Sequence, residues 1–143
     1  MLRPDVTLAA LNARGTGKLP GLVGFRVLAL EDRMVTAQME ITPQLLAPNG
    51  FLHAASIIAL ADTACGYGCL AHLPEGAENF TTVELKSNFL GTARDGMLDC
   101  IARPAHLGNT TQVWDATVTR QSDGRAIALF RCTQMVLWPR ARA

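Results

Sequence analysis

The pattern of apolar and polar residues divides the 143-residue chain into a few clear stretches. Leu2, Val6, Leu8 and Leu11 recur at roughly helical spacing and predict a short N-terminal helix, and GTGKLPG after it predicts a loop. FRVLALE and MVTAQMEI read as two strands joined by a turn around Asp32. TPQLLAPNG breaks the pattern with Pro43, Pro48 and Gly50. From His53 to Ala71 the chain runs HAASIIALADTACGYGCLA, small and apolar almost throughout, and predicts one long helix that HLPEGAEN ends. Four strands follow. TTVELKSNFL puts Val83, Leu85, Ser87 and Phe89 on one face, and in MLDCIARPA the proline Pro104 marks a bulge or an edge. TTQVWDATVTR and AIALFRCTQMVLW complete the set, with Asp95-Gly96 and Asp123-Gly124 as tight-turn pairs. Helix, two strands, long helix and four strands make an α+β pattern, an antiparallel sheet against one long helix.

A helix apolar nearly all round must be covered on more than one side. Either the sheet wraps round it or a second subunit helps. A membrane span is the wrong reading, because the stretch is rich in Ala and Gly and carries Asp62 where a bilayer penalises charge most. Hydrophobic residues make up 49% and charged residues 17%, which fits a globular chain and excludes disorder. The formal net charge of +1, with scattered basic residues, calls for neither nucleic acid nor an anionic membrane; the WPRARA tail reads as a solvated terminus. The four cysteines form no CxxC pair. They are expected to be small buried hydrophobes in a reducing compartment, with no metal site. No targeting segment is read at the start, so the cytoplasm is expected.

The chemistry concentrates on Asp62, the one formal charge in the long helix. Asp disfavours a helix interior, and burying it unpaired is costly. It is either a structural partner of a basic residue or hydroxyl, or a functional carboxylate. Burial would raise its pKa while hydrogen bonds would lower it, and the sequence leaves the sign open. At the helix start, Pro48, Asn49 and Gly50 precede His53, Ala54 and Ala55. Unpaired N–H groups and the helix dipole there suit a carbonyl oxygen gaining negative charge, although His53 can equally be an ordinary cap. Ala55 and Asp62 share a stripe but lie roughly 10 Å apart along the axis, at ~1.5 Å per residue. One helix cannot offer both groups to one carbonyl. Two antiparallel copies across a twofold axis can, which predicts a dimer with interface sites.

With these residues in view, the sequence resembles the hotdog-fold acyl-CoA thioesterases, in particular the phenylacetate-degradation type. That family carries His-Gly-Gly at the start of the central helix and an acidic residue nine positions after the His, matched here by His53 and Asp62. LADTA (residues 60–64) and TVELKSNFL (residues 82–90) are also typical, and the likeness runs roughly from Gly21 to Leu137. The resemblance implies a hotdog fold, an antiparallel sheet wrapped around one long central helix. It implies a single domain over 1–143, with an N-terminal helix and loop (1–20), a core (21–138) and a tail (139–143).

It further implies that Asp62 is the general base or nucleophile and that the N–H of Ala54, with or without that of Ala55, is the oxyanion donor of the other subunit. His53 would shape that turn, and Thr82 would help orient water. Ala54-Ala55 replaces the Gly-Gly. Ala47 stands where relatives often have Asn or Gln, with Asn49 two residues on as a substitute. Gly108-Asn109-Thr110 replaces a Gly-Arg-Arg-like segment. No cofactor is required, since coenzyme A is part of the substrate. Arg103, His106, Arg94 and Lys86 are candidates for its phosphates, with solvated surface charge as the alternative reading. The implied protein is an acyl-CoA thioesterase, a homodimer or a homotetramer of paired dimers, with no nucleic-acid or membrane partner. The alternatives are a non-catalytic acyl-CoA-binding hotdog protein, which the Ala54-Ala55 replacement keeps open, and an acyl hydratase or dehydratase, which would need a His base.

Overall fold

A computed structural model describes residues 1–139. The elements run α1 (Leu8–Arg14), α2 (Leu19–Leu22), β1 (Arg26–Glu31), β2 (Met34–Glu40), a 3₁₀ turn (Pro43–Leu45), α3 (Ala54–Ala71), β3 (Asn79–Phe89), β4 (Met97–Leu107), β5 (Thr111–Arg120) and β6 (Ala126–Leu137). The long helix and all six strands stand where the hydrophobic pattern puts them. Two local readings change. α1 begins only at Leu8, where Thr7 caps it by accepting from the Ala10 N–H at 3.1 Å, so Leu2 and Val6 precede it. Within the expected GTGKLPG loop, LPGL forms a short helix, with Pro20 in its first turn, where a missing N–H costs nothing. The tail beyond Pro139, expected to be a solvated terminus, lies outside the described residues.

All strand pairs are antiparallel, and the sheet order is β1-β2-β4-β5-β6-β3. The helix α3 packs against every strand from β2 to β6, so the sheet curls around it. Leu60, Ala61, Ala64 and Cys65 meet Ala37, Leu98, Trp114 and Phe130 in one buried cluster. Two glycines let the sheet close down on the helix. A methyl on Gly68 would sit 2.4 Å from the Trp114 ring, and one on Gly66 would sit 2.9 Å from Phe80. All four cysteines are buried and free. Burial pushes the Cys69 and Cys100 thiols up to about 12 and raises Cys65 well above its ordinary value. His72 and Trp114 are core residues: the His72 ring bonds the Gly68 carbonyl and accepts from the Arg33 N–H, and the Trp114 indole donates to Gln112.

The two irregular strands have physical reasons. β4 lies inside the sheet, where Pro104 cannot fill a ladder bond, and the register shifts between Pro104 and His106; the bulge reading holds and the edge reading does not. β3 is an edge strand, at the end of the sheet opposite β1, and its register shifts between Thr82 and Glu84. Val83 is the unpaired residue of that bulge, so it leaves the face it was expected to share with Leu85, Ser87 and Phe89. Thr82 joins that face instead, opposite the buried Gln134.

Candidate active site

The start of α3 is fixed before the helix begins. The turn from Ala47 to Phe51 closes through Ala47 N–H to Phe51 O (2.7 Å), with Gly50 in the left-handed region at φ 81°. Asn49 Oδ1 accepts from the Phe51 N–H at 3.2 Å. Its side chain therefore tightens this exposed turn. The Leu52 N–H reaches Ala93 O, and the His53 N–H and the Ser56 hydroxyl both reach Leu45 O. The helix start is thus tied to the 3₁₀ turn and to the segment before β4.

His53 is the N-cap. Its Nδ1 accepts from the Ala55 N–H at 2.9 Å, so Nε2 carries the ring hydrogen of the neutral imidazole. This settles which backbone donor is open: the Ala55 N–H is taken, and the Ala54 N–H has no acceptor among the described residues. Ala54 and Ala55 are both exposed. An open groove of about 590 Å³ runs beside them, walled by Leu19, Leu22, Leu45, Ala55 and Ala59. The short helix α2, which the sequence reading took for loop, supplies part of that wall.

Asp62 lies on the one stripe of α3 that its own sheet leaves open, along with Ala55, Ile58 and Ala59. Its side chain is half-buried, and no basic residue pairs with it among the described residues. Burial pushes its carboxyl above the ordinary value of 3.8, and the Thr82 hydroxyl, 3.5 Å from Oδ1, pulls partly back. Thr82 in turn lies 2.9 Å from the amide of Gln134. Ala54 and Asp62 are separated by two helical turns, roughly 12 Å at ~1.5 Å per residue, too far for one carbonyl to reach both.

The structure thus brings Asp62 and Thr82 together, sets His53, Ala54 and Asn49 at the helix start, and separates the two groups within a chain. The candidate phosphate ligands are dispersed. Arg94 stacks over the Phe51 ring at 4.2 Å, close to the helix start. Arg103 and Lys86 are exposed on β4 and β3, Arg103 opposite Asp115 and Lys86 opposite Arg131. His106 is exposed past the β4 bulge. The sequence reading missed Gln134. The signal was present: in AIALFRCTQMVLW every second residue from Ala128 to Val136 is buried, and Gln134 is the polar member of that row.

A family model described as the thioesterase superfamily matches residues 49–127. The 1,4-dihydroxy-2-naphthoyl-CoA hydrolase of Escherichia coli is 30% identical over 135 residues, 92% of this chain and 96% of its own. The crystal structure of a mutant thioesterase from Pseudomonas aeruginosa matches with a TM-score of 0.89 at 29% identity, covering 95% of this chain and 97% of that one. A thioesterase family protein from Silicibacter pomeroyi matches with a TM-score of 0.81 at 30% identity, over 93% of this chain and 100% of its own.

Proposed function

The chain belongs to the thioesterase superfamily and is a thioester hydrolase of hotdog fold; from that premise we propose that it hydrolyses an acyl-CoA at two sites built across a twofold dimer. In each site Asp62 of one subunit faces the Ala54 N–H of the partner subunit. The thioester oxygen accepts from that N–H at the positive end of α3, which stabilises the charge it gains. Asp62 either takes a proton from water as the water attacks the carbonyl carbon, or attacks the carbon itself and is freed by water. In both routes the C–S bond breaks, the acid forms and CoA leaves as its thiol.

The observation that carries this reading is the position of Asp62 against the edge strand. It contacts Thr82 of β3, and β3 has no neighbour on its outer side among the described residues. A partner strand added along β3 brings the partner's atoms to the carboxylate. β3 and the residue after it carry exposed Val83, Leu85, Phe89 and Leu90, an apolar edge that invites such pairing. The apolar groove beside Ala55 suits an aromatic or medium-chain acyl group, and the aromatic acyl group named for the Escherichia coli relative favours aryl-CoAs as the first trial. Arg94, nearest the helix start, is the first candidate for the CoA phosphates. Four free thiols suit a cytoplasmic setting. The hydratase reading loses its base, because His53 Nδ1 is occupied as a cap.

The test is release of free CoA from benzoyl-, phenylacetyl-, hydroxynaphthoyl- and medium-chain acyl-CoAs, followed by subunit mixing. Asp62→Ala removes the carboxylate. Ala54→Pro deletes the donor N–H at a first helical position that tolerates proline, and His53 already has the extended backbone (φ −68°, ψ 137°) that precedes one. Each variant alone is expected to lose about 10²–10³-fold or more in kcat. Mixed and refolded together they regain about a quarter of wild-type activity, because half the dimers hold one intact site. No recovery on mixing, with heterodimers present, rules out the shared site.

A further inference from the structure

Behind Asp62 stands a row of polar side chains in an otherwise apolar core. Gln134 is fully buried in the middle of β6. One end of its amide lies 2.9 Å from Thr82 Oγ1 and the other 3.2 Å from Cys132 Sγ; Thr82 Oγ1 lies 3.5 Å from Asp62 Oδ1. A hydroxyl has one hydrogen to give. With the amide oxygen toward Thr82, that hydrogen goes to Gln134, and only lone pairs face Asp62. This orientation suits a protonated carboxyl, which donates to Thr82 and completes a chain running from Asp62 to Thr82 to Gln134 to Cys132. With the amide turned end for end, every bond reverses. The Cys132 S–H donates to the amide oxygen, the amide N–H to Thr82, and the Thr82 hydrogen reaches an ionised Asp62. The amide oxygen and NH₂ have nearly the same shape, so both orientations fit one site.

We propose that Gln134 is a positioning residue for the reaction: acting through Thr82, it supplies a reversible hydrogen-bond chain that matches either protonation state of Asp62. A base must give up and regain a proton in each turnover. In an apolar core each state needs its own partner, since an unmatched buried polar group is costly. The buried titratable groups on the elements around Asp62 are thiols, Cys65 and Cys69 on α3, Cys132 on β6 and Cys100 on β4. Tyr67 on α3 is half-buried, and Asp99 and Arg103 of β4, Asp115 of β5 and Arg131 of β6 alternate with the buried row, with Arg131 paired to Asp115. The charged side chains of β3, Glu84 and Lys86, are exposed, and the Thr133 hydroxyl binds Glu84. Among the described residues no cation acts on Asp62, and the Thr82 hydroxyl is the group that opposes its desolvation.

The inference rests on Asp62 being the base, and the experiment separates the two claims. The ¹³C signal of the Asp62 carboxyl is titrated in the wild type, Thr82→Val, Thr82→Ser, Gln134→Met and the double variant Thr82→Val/Gln134→Met, alongside pH profiles of kcat/KM for acyl-CoA hydrolysis. The bond lost by the ionised carboxylate is charge-assisted and stronger than the one lost by the acid, so Thr82→Val and, by less, Gln134→Met are expected to move the midpoint and the acid limb to higher pH, with KM unchanged and about tenfold lower kcat below the shifted limb. Thr82→Ser keeps the wild-type midpoint. The double variant matches Thr82→Val alone, because Gln134 acts only through the hydroxyl. A midpoint unmoved in Thr82→Val, or shifts that add in the double variant, overturns the chain. Thr82 sits on the edge strand, so Thr82→Val decides the matter even if Gln134→Met does not fold. If the wild type releases no CoA from any acyl-CoA, the proposed function fails, while the titration still decides this inference.

Discussion

Asp62 places function and stability in opposition. Desolvation raises its pKa in the folded chain above the unfolded value, so between those two pKa values the folded state holds more protons than the unfolded one. Stability therefore falls as pH rises through that window, and at neutral pH the ionised carboxylate weakens the fold. Asp62→Asn removes that penalty while keeping the shape of the side chain. It is expected to abolish turnover and to raise Tm at pH 7, with the gap to wild type closing as the pH is lowered through the window. Calorimetry of both proteins across that range measures it, and an unchanged gap means that Asp62 is not desolvated. The same residue was legible in the sequence, because a charge inside an apolar helix breaks the local rule. The sign of its shift was not, since that depends on how far a distant strand buries it and on the one hydroxyl that strand supplies.

The helix α3 shows how an element that carries two glycines among its alanines and leucines becomes the centre of a core. Gly66 and Gly68 each cost about 1 kcal/mol in a helix interior relative to Ala. Packing overrides that preference. Gly68→Ala gains the propensity but drives a methyl to 2.4 Å from the fully buried Trp114 ring, whose indole is tied to Gln112. Overpacking of this kind costs about 1–3 kcal/mol, so net destabilisation of up to about 2 kcal/mol is expected in denaturant titrations. Gly66→Ala meets Phe80, which is half-exposed on the edge strand and can yield, and is expected to be nearly neutral. Equal losses at the two positions contradict this account. Periodicity was enough to find α3 and all six strands. It missed α2, whose LPGL is too short to show a period, and it misassigned Val83, because a bulge shifts every later residue of a strand to the other face.

At the scale of the whole molecule, the decisive fact is which strand lies outermost. β3 follows α3 in the chain yet ends beside β6, and no local pattern announces that. Its open edge makes the proposed assembly testable. Val83→Lys with Leu85→Lys puts like charges on the two facing β3 strands and is expected to give monomers by sedimentation, with activity lost in proportion. A fully active dimer would require another interface. The buried cysteines have a consequence for anyone following the reaction. It is the thiolate that attacks a disulfide reagent. All four sulfurs are enclosed, and burial holds at least three of the thiols protonated. A colorimetric disulfide added to register each CoA set free therefore reads the product and not the folded catalyst, even when the two are present in equal amounts.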